Sequence, residues 1–209
     1  MNSPKALLLA TALAAAAWSA PVAATPWAES GDAGALLPGA QVVSAGTTSI
    51  SGSLSPAADQ DLYAFTWGGG ALTLVTGGLL DTQLFIFNSM GVIVGANDDD
   101  GPGALSLLNG PLAAGLYYLG ITSFNSDPLN AAGQDIEDAI GSGGSTAFQP
   151  GACSLALADC TLASWRSEGA AGAYTISFST PTAGAVPAPA TLALAGLGLL
   201  ALGLARRKA

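Results

Sequence analysis

The chain has 209 residues, 14 acidic and 5 basic, no histidine and a formal net charge of −9. The missing histidine removes Ser-His-Asp and Cys-His catalysis and every His-ligated zinc site. The acidic balance argues against nucleic acid and anionic lipid surfaces, whose phosphates need Lys or Arg. All 14 acids lie between Glu29 and Glu168, where Arg166 is the only basic residue, so the middle of the chain is near −13. With no lysine in that interval, Ser-Lys dyads and Schiff-base chemistry are excluded as well. No Gly-x-Gly-x-x-Gly or Walker loop follows a predicted strand. Carboxylate-pair glycosidase chemistry remains formally open.

Residues 1–24 read as a secretory signal peptide. Lys5 gives a weakly basic start, Ala6 to Ala17 form the apolar region, and Val22-Ala23-Ala24 supplies the small residues that signal peptidase needs. Cleavage is expected after Ala24; Trp18-Ser19-Ala20 is a poorer site because Trp is bulky. The alternative, an N-terminal membrane helix, is disfavoured by the shortness of the apolar region. Residues 25–46, rich in Ala, Gly and Pro, are expected to be a leader or linker.

Short apolar runs bounded by turn signals then follow. The spacing predicts strands at Thr48–Leu54, Leu62–Trp67, Ala71–Thr76, Thr82–Phe87, Val92–Ala96, Leu105–Leu108, Leu116–Thr122 and Tyr174–Ser179. Eight short strands without a convincing long helix suggest an all-β, antiparallel β-sandwich spanning 47–181. The segment 123–172 lacks clear periodicity and is expected to be a long excursion between the last two strands.

Several of these pieces occur in a familiar order. Asp59-Gln60-Asp61-Leu62-Tyr63-Ala64-Phe65 is similar to the opening motif of bacterial pre-peptidase C-terminal (PPC) domains. Asp81 to Phe87, Gly91 and Asn97-Asp98-Asp99 resemble that family's central hairpin and acidic loop, and Gly115-Leu116-Tyr117-Tyr118-Leu119 resembles a later strand. The resemblance covers about residues 48–123 and 172–180. It implies a jelly-roll-like sandwich and a non-catalytic accessory module.

Asn97-Asp98-Asp99-Asp100-Gly101 is the sharpest candidate site, with Asp81 as a further ligand. Oxygen donors clustered in a Gly-containing turn suit Ca2+, a hard cation taking six to eight oxygens. Asp59 and Asp61 are expected to approach from across the sandwich end. The alternative is a solvated turn in which Asn and Asp cap backbone amides. Trp27, Trp67, Trp165, Tyr117 and Tyr118 offer either a glycan platform or core packing, the commoner use at strand spacing. Cys153 and Cys160, the two cysteines, read as a structural disulfide in an oxidising compartment. Closing so short a loop contributes about 2.5 kcal/mol in the chain-entropy model. A redox pair is the weaker reading, because the spacing is not Cys-x-x-Cys.

Residues 182–209 are a linker and an apolar tail. Val186 leads into Pro187-Ala188-Pro189, an apolar run from Thr191 to Ala205 follows, and Arg206-Arg207-Lys208 come last. As a helix the run would span about 22 Å, short of a bilayer core of about 30 Å. The basic cluster is expected to stay cytoplasmic. This three-part order resembles the PEP-CTERM sorting signal of Gram-negative bacteria, with Ala188 where that signal carries Glu. The resemblance implies transient inner-membrane anchoring through the C-terminal helix and removal of the tail by an exosortase, a membrane cysteine transpeptidase. An ordinary C-terminal anchor is the alternative.

The sequence is therefore read as that of a non-enzymatic, secreted cell-surface or extracellular-matrix protein. Association with exopolysaccharide or biofilm is what the sorting-signal resemblance implies. Nothing in this reading requires a cofactor; Ca2+ is the ion the acidic loop would take. A calcium-dependent glycan- or protein-binding module and a secreted carboxylate-pair hydrolase are the alternatives.

Overall fold

The computed structural model describes residues 25–140, 147–150 and 158–179. The signal-peptide reading with Ala24, Cys153, and the tail with Val186, Pro187, Ala188, Pro189, Arg206, Arg207 and Lys208 lie outside the described residues. Twelve strands lie among the described residues: β1 Thr25–Ala28, β2 Gln41–Val42, β3 Thr47–Leu54, β4 Gln60–Trp67, β5 Gly70–Gly78, β6 Thr82–Asn88, β7 Ile93–Asn97, β8 Leu107–Leu112, β9 Gly115–Ser123, β10 Pro128–Leu129, β11 Ser164–Trp165 and β12 Gly172–Ser179. The helical elements among the described residues are two single 3-10 turns, Leu37–Gly39 and Asp138–Ile140.

Two five-stranded sheets form a sandwich, with orders β1-β3-β12-β5-β8 and β2-β4-β9-β6-β7. The expected all-β sandwich is what forms, and every predicted strand has its counterpart. Residues 25–46 differ from the expected leader. Their strand β1 joins β3 in parallel, and β2 joins β4 in parallel, so this segment extends both sheets. The remaining sheet pairings are antiparallel.

The two sheets bury their side chains differently. In the first sheet alternation is clean. Tyr174 and Ile176 of β12 point inward with Ile50 and Leu54 of β3, while Thr175, Ser177, Ser51 and Ser53 face solvent. That is the pattern of a sheet packed on one face. In the second sheet β6 is buried from Thr82 to Phe87. Leu84 and Ile86 enter the core between the sheets, and Phe85 and Phe87 enter a second cluster on the opposite face. Each such buried side chain contributes about 1.5–3 kcal/mol.

The cover on that opposite face is the 123–172 excursion. Strands β10 and β11 form a small antiparallel ribbon. Ile136, Ile140, Cys160 and Leu162 pack with Leu62, Phe85, Phe87 and Ile93. Trp165 stands edge-on to Phe85 and Phe87, and its indole N–H donates to the Ala35 carbonyl at 2.7 Å. The described parts of the excursion therefore pack as a layer over the second sheet, while its Phe148 enters the core between the sheets.

Candidate functional site

Asp81 immediately precedes β6, and Asp98 and Asp99 immediately follow β7. Those strands pair antiparallel, with Leu84 opposite Asn97, so both ends arrive together. Carboxylate oxygens of Asp81, Asp98 and Asp99 lie within 4.8 Å of one another. Asp98 is only 8% exposed, and its Oδ1 is buried without a hydrogen-bond partner. Burial, then the charges of Asp99, Asp81 and Asp127, push its carboxyl up to about 6. Burial and Asp99 raise Asp81 in the same direction.

Asn97 and Asp100 serve a different purpose. Asn97 is fully buried. Its Nδ2 donates to Asp100 Oδ2 at 2.7 Å, and its Oδ1 accepts from the backbone of Leu107 at 2.6 Å and of Asp100 at 3.3 Å. Both polar ends of the amide are thus spent on closing the loop. Gly101 completes the closure: its N–H donates to the Leu105 carbonyl at 2.7 Å, and a Cβ there would collide with that oxygen. Beneath the loop, the hydroxyls of Thr76, Thr82 and Ser106 form a buried chain, with links of 2.7 and 3.2 Å.

Asp59 and Asp61, expected at this loop, are elsewhere. Asp61, Ile121, Leu84 and Asn97 form one row across β4, β9, β6 and β7. Three strand spacings of about 4.8 Å separate its ends by about 14 Å. Asp61 instead gathers with Glu29 and Asp32, carboxylate oxygens within 4.8 Å. Its Oδ2 accepts from the Tyr174 hydroxyl at 2.6 Å, and Tyr174 bonds the Tyr63 hydroxyl. Its Oδ1 is buried and unpartnered, and burial pushes the carboxyl up to about 8. Glu29 accepts backbone N–H bonds from Ala33 and Ser53 at 3.0 and 2.9 Å. Asp59 caps its own turn, accepting from Ser55 at 2.7 Å and Gln60 at 2.9 Å. Sequence reasoning missed this grouping because its members come from β4 and from the supposed leader.

A further acidic group links the excursion to β6. Arg166 pairs with Asp127 and, at 3.3 Å, with Asp135. Gln83 donates to Asp127 at 3.2 Å and to Glu137 at 3.5 Å. Glu137 is 5% exposed, and burial, then Asp127, Asp135, Asp98 and Asp138, push it up to about 8.

The aromatic residues considered for a glycan platform are packing residues. Trp67 and Tyr117 belong to the core between the sheets, with Trp27 against it; Tyr118 and Trp165 pack on the second cluster. Cys160 is buried in that cluster and is not free. An open recess of about 450 Å3 between Gly78–Leu80 and Ala171–Ala173 carries no titratable side chain. No helix among the described residues is long and apolar enough to cross a membrane.

Among solved structures, the chain is similar to the pre-peptidase C-terminal domain of a collagenase from Bacillus anthracis, at 13% identity and a TM-score of 0.40, covering 67% of this chain and 94% of that one. It is also similar to CorA, a surface-associated copper-binding protein important in Methylomicrobium album BG8 copper acquisition (9% identity, TM-score 0.40, 68% of this chain and 98% of that one). A third is PliG, a periplasmic inhibitor of g-type lysozyme from Aeromonas hydrophila (17% identity, TM-score 0.35, 67% and 96%). At these identities the likeness is one of fold alone. No curated protein matches the chain. Residues 185–208 match the PEP-CTERM protein-sorting motif, which marks an exported protein of the cell envelope or surface, processed by an exosortase-type enzyme.

Proposed function

We propose that this is a non-enzymatic β-sandwich protein of the cell surface or extracellular matrix, associated with exopolysaccharide. Signal peptidase cleaves after Ala24, the tail holds the chain briefly in the inner membrane, and an exosortase-type enzyme cuts near Pro187-Ala188-Pro189. The domain plan follows: 1–24 signal peptide, 25–181 sandwich with its packed excursion, 182–209 linker and sorting tail. One observation carries the reading: the sorting motif at 185–208 follows a sandwich whose last described strand ends at Ser179. The non-catalytic assignment is supported by the lack of histidine and by the character of the acidic groups, which are tied to backbone amides, to Arg166 or to one another. The Cys153–Cys160 staple belongs to the same proposal.

Cell fractionation with intact-mass measurement tests it. The expected mature protein lacks residues 1–24 and the basic tail, is two mass units lighter than its reduced form, and leaves the inner membrane. A mature protein still carrying Arg206-Arg207-Lys208 refutes the processing step.

A second reading, a calcium-dependent glycan- or protein-binding module, is favoured by the convergence of Asp81, Asp98 and Asp99 at one end of the sandwich. It is compatible with the first, since a surface protein needs something to hold. Binding of an anionic polysaccharide that chelator abolishes is its expected signature.

A further inference from the structure

We propose that one end of the sandwich is a lipid-facing surface, which rests on the outer leaflet of the inner membrane while the tail is still attached. The inference rests on the reading that residues 182–209 hold the chain in that membrane, and adds which part of the domain meets the lipid. Strand register defines the two ends. At one of them Trp67 lies opposite Gly115, Asn88 opposite Tyr117, Gly70 opposite Leu112 and Ser179 opposite Thr73. The connections there are residues 43–46, 68–69, 89–92 and 113–114. They read Val-Ser-Ala-Gly, Gly-Gly, Ser-Met-Gly-Val and Ala-Ala, without a charge among them. The connections at the other end carry Asp59, Asp81, Asp98, Asp99, Asp100 and Asp127.

A second observation is independent of charge. Both points where the chain leaves the sandwich lie at the uncharged end. Thr25 pairs with Thr47, and its N–H donates to the Gly46 carbonyl at 3.1 Å; Ser179 closes β12. The segments read as signal peptide and sorting tail are therefore joined to the same end. Apolar side chains project from it: Met90 is 71% exposed and Leu116 43%. A small recess at this end is lined in part by Val43, Phe65, Trp67 and Phe178. Asp159 flanks the end from the excursion, two residues before Thr161, the partner of Val92, and sets the rim of the surface. Leu79 and Phe124 are exposed as well, but they share their connections with Asp81 and Asp127 at the other end, where contact with lipid would desolvate carboxylates.

Magnitudes decide which end the bilayer accepts. β4 runs for 8 residues between the ends, about 27 Å at roughly 3.4 Å per residue. Charge on the headgroups is screened within about 8 Å at physiological ionic strength. With the uncharged end down, the far acids feel little of it; with the domain reversed, they press against anionic lipid. The surface has no Lys or Arg for phosphate, so the contact is apolar burial. No more than about 40 Å of extended chain separates Ser179 from Thr191. That tether keeps the domain near the bilayer but leaves it free to turn, so its own surface sets its orientation.

Nitroxide quenching tests the surface. The chain is made in a host without an exosortase-type enzyme, which leaves the tail in place, and reconstituted in vesicles of phosphatidylethanolamine and phosphatidylglycerol. Met90→Cys and Asp99→Cys each add a thiol for a fluorophore at an exposed position; the unsubstituted chain is the labelling control. With nitroxide on the lipid headgroups, the Met90 label is expected to lose most of its fluorescence and the Asp99 label none. Met90→Asp, in an exposed turn, should cut the quenching of an Ala113→Cys label at the same end without moving the melting temperature. Quenching that is equal at the two labels, or greater at Asp99, overturns the proposal. So does quenching at Met90 that high salt removes, because apolar contact does not depend on screening. A chain that floats with the vesicles while both labels stay unquenched sinks the proposal alone. A chain that does not float sinks the anchoring reading and the proposal together.

Discussion

Glu137 gives the most direct test of how this acidic domain tolerates its own charge. Its side chain faces β6 from the excursion, 5% exposed, with Gln83 donating at 3.5 Å. Burial first, and four neighbouring acids second, raise its carboxyl from an ordinary 4.5 to about 8. The unfolded chain therefore releases this proton near pH 4.5, and the folded chain keeps it until about pH 8. The contribution to stability is complete below pH 4.5 and is lost as pH rises through 8. Within that window the slope is about −1.4 kcal/mol per pH unit. Summed over the window this is roughly 5 kcal/mol, an upper bound, since opening of the short Asp138–Ile140 turn gives the carboxylate access to water. Glu137→Gln keeps the shape and an acceptor for Gln83 but has no proton to lose. Urea unfolding followed by tryptophan fluorescence, with chelator present at pH 5, 6, 7 and 8, reads the difference. The variant should gain on the wild type at every step, by up to about 1.4 kcal/mol per pH unit, with equal m-values. Parallel pH profiles for the two proteins would falsify the assignment.

Other outcomes follow from the same packing. Trp165→Ala removes the ring set against Phe85 and Phe87 and should cost about 3–5 kcal/mol; amide exchange should rise around β10 and β11 before it rises in β3 and β12. Tyr174→Phe removes the donor to Asp61 and the link to Tyr63, and should cost about 1–3 kcal/mol in chemical denaturation. Gly101→Ala drives a methyl into the Leu105 carbonyl, and should cost about 1–3 kcal/mol while loosening the loop that presents Asp98, read as weaker Ca2+ heats. Arg166→Gln leaves Asp127 and Asp135 without their cation; its half-exposed side chain limits the loss to about 1 kcal/mol.

Much of the sandwich is legible in the sequence because half-buried strands alternate. Tyr174-Thr175-Ile176-Ser177 reads as a strand without help. β1 and β2 are not legible, since four and two residues are too few to show a period and their parallel partners lie far along the chain. The excursion hides for a related reason: it packs through scattered anchors, Ile136, Ile140, Leu162 and Trp165. The available signal was on the other side of that contact. Leu84-Phe85-Ile86-Phe87 is apolar at four successive positions, and such a strand needs cover on both faces. At the acidic loop, sequence identifies the donors but cannot separate ligands from caps. Asn97 and Asp100 look like Asp98 and Asp99 until the hydrogen bonds to Leu107 and between the two side chains are seen. The Glu29–Asp32–Asp61 grouping depends on β1 pairing with β3, and so was out of reach.

The place of β12 also governs the order in which the molecule can be built. It is the last strand described, yet it lies in the middle of the first sheet, between β3 and β5. Tyr174 meets Tyr63 across 111 residues of chain. Until β12 arrives, β3 and β5 have no common neighbour and the first sheet stays in two pieces. Such non-local closure is slow and comes late. A nascent chain short of Gly172 therefore lacks the strand that locks the sandwich, and remains threadable. For an exported protein, the consequence is that the strands before β12 cannot complete the sandwich by themselves.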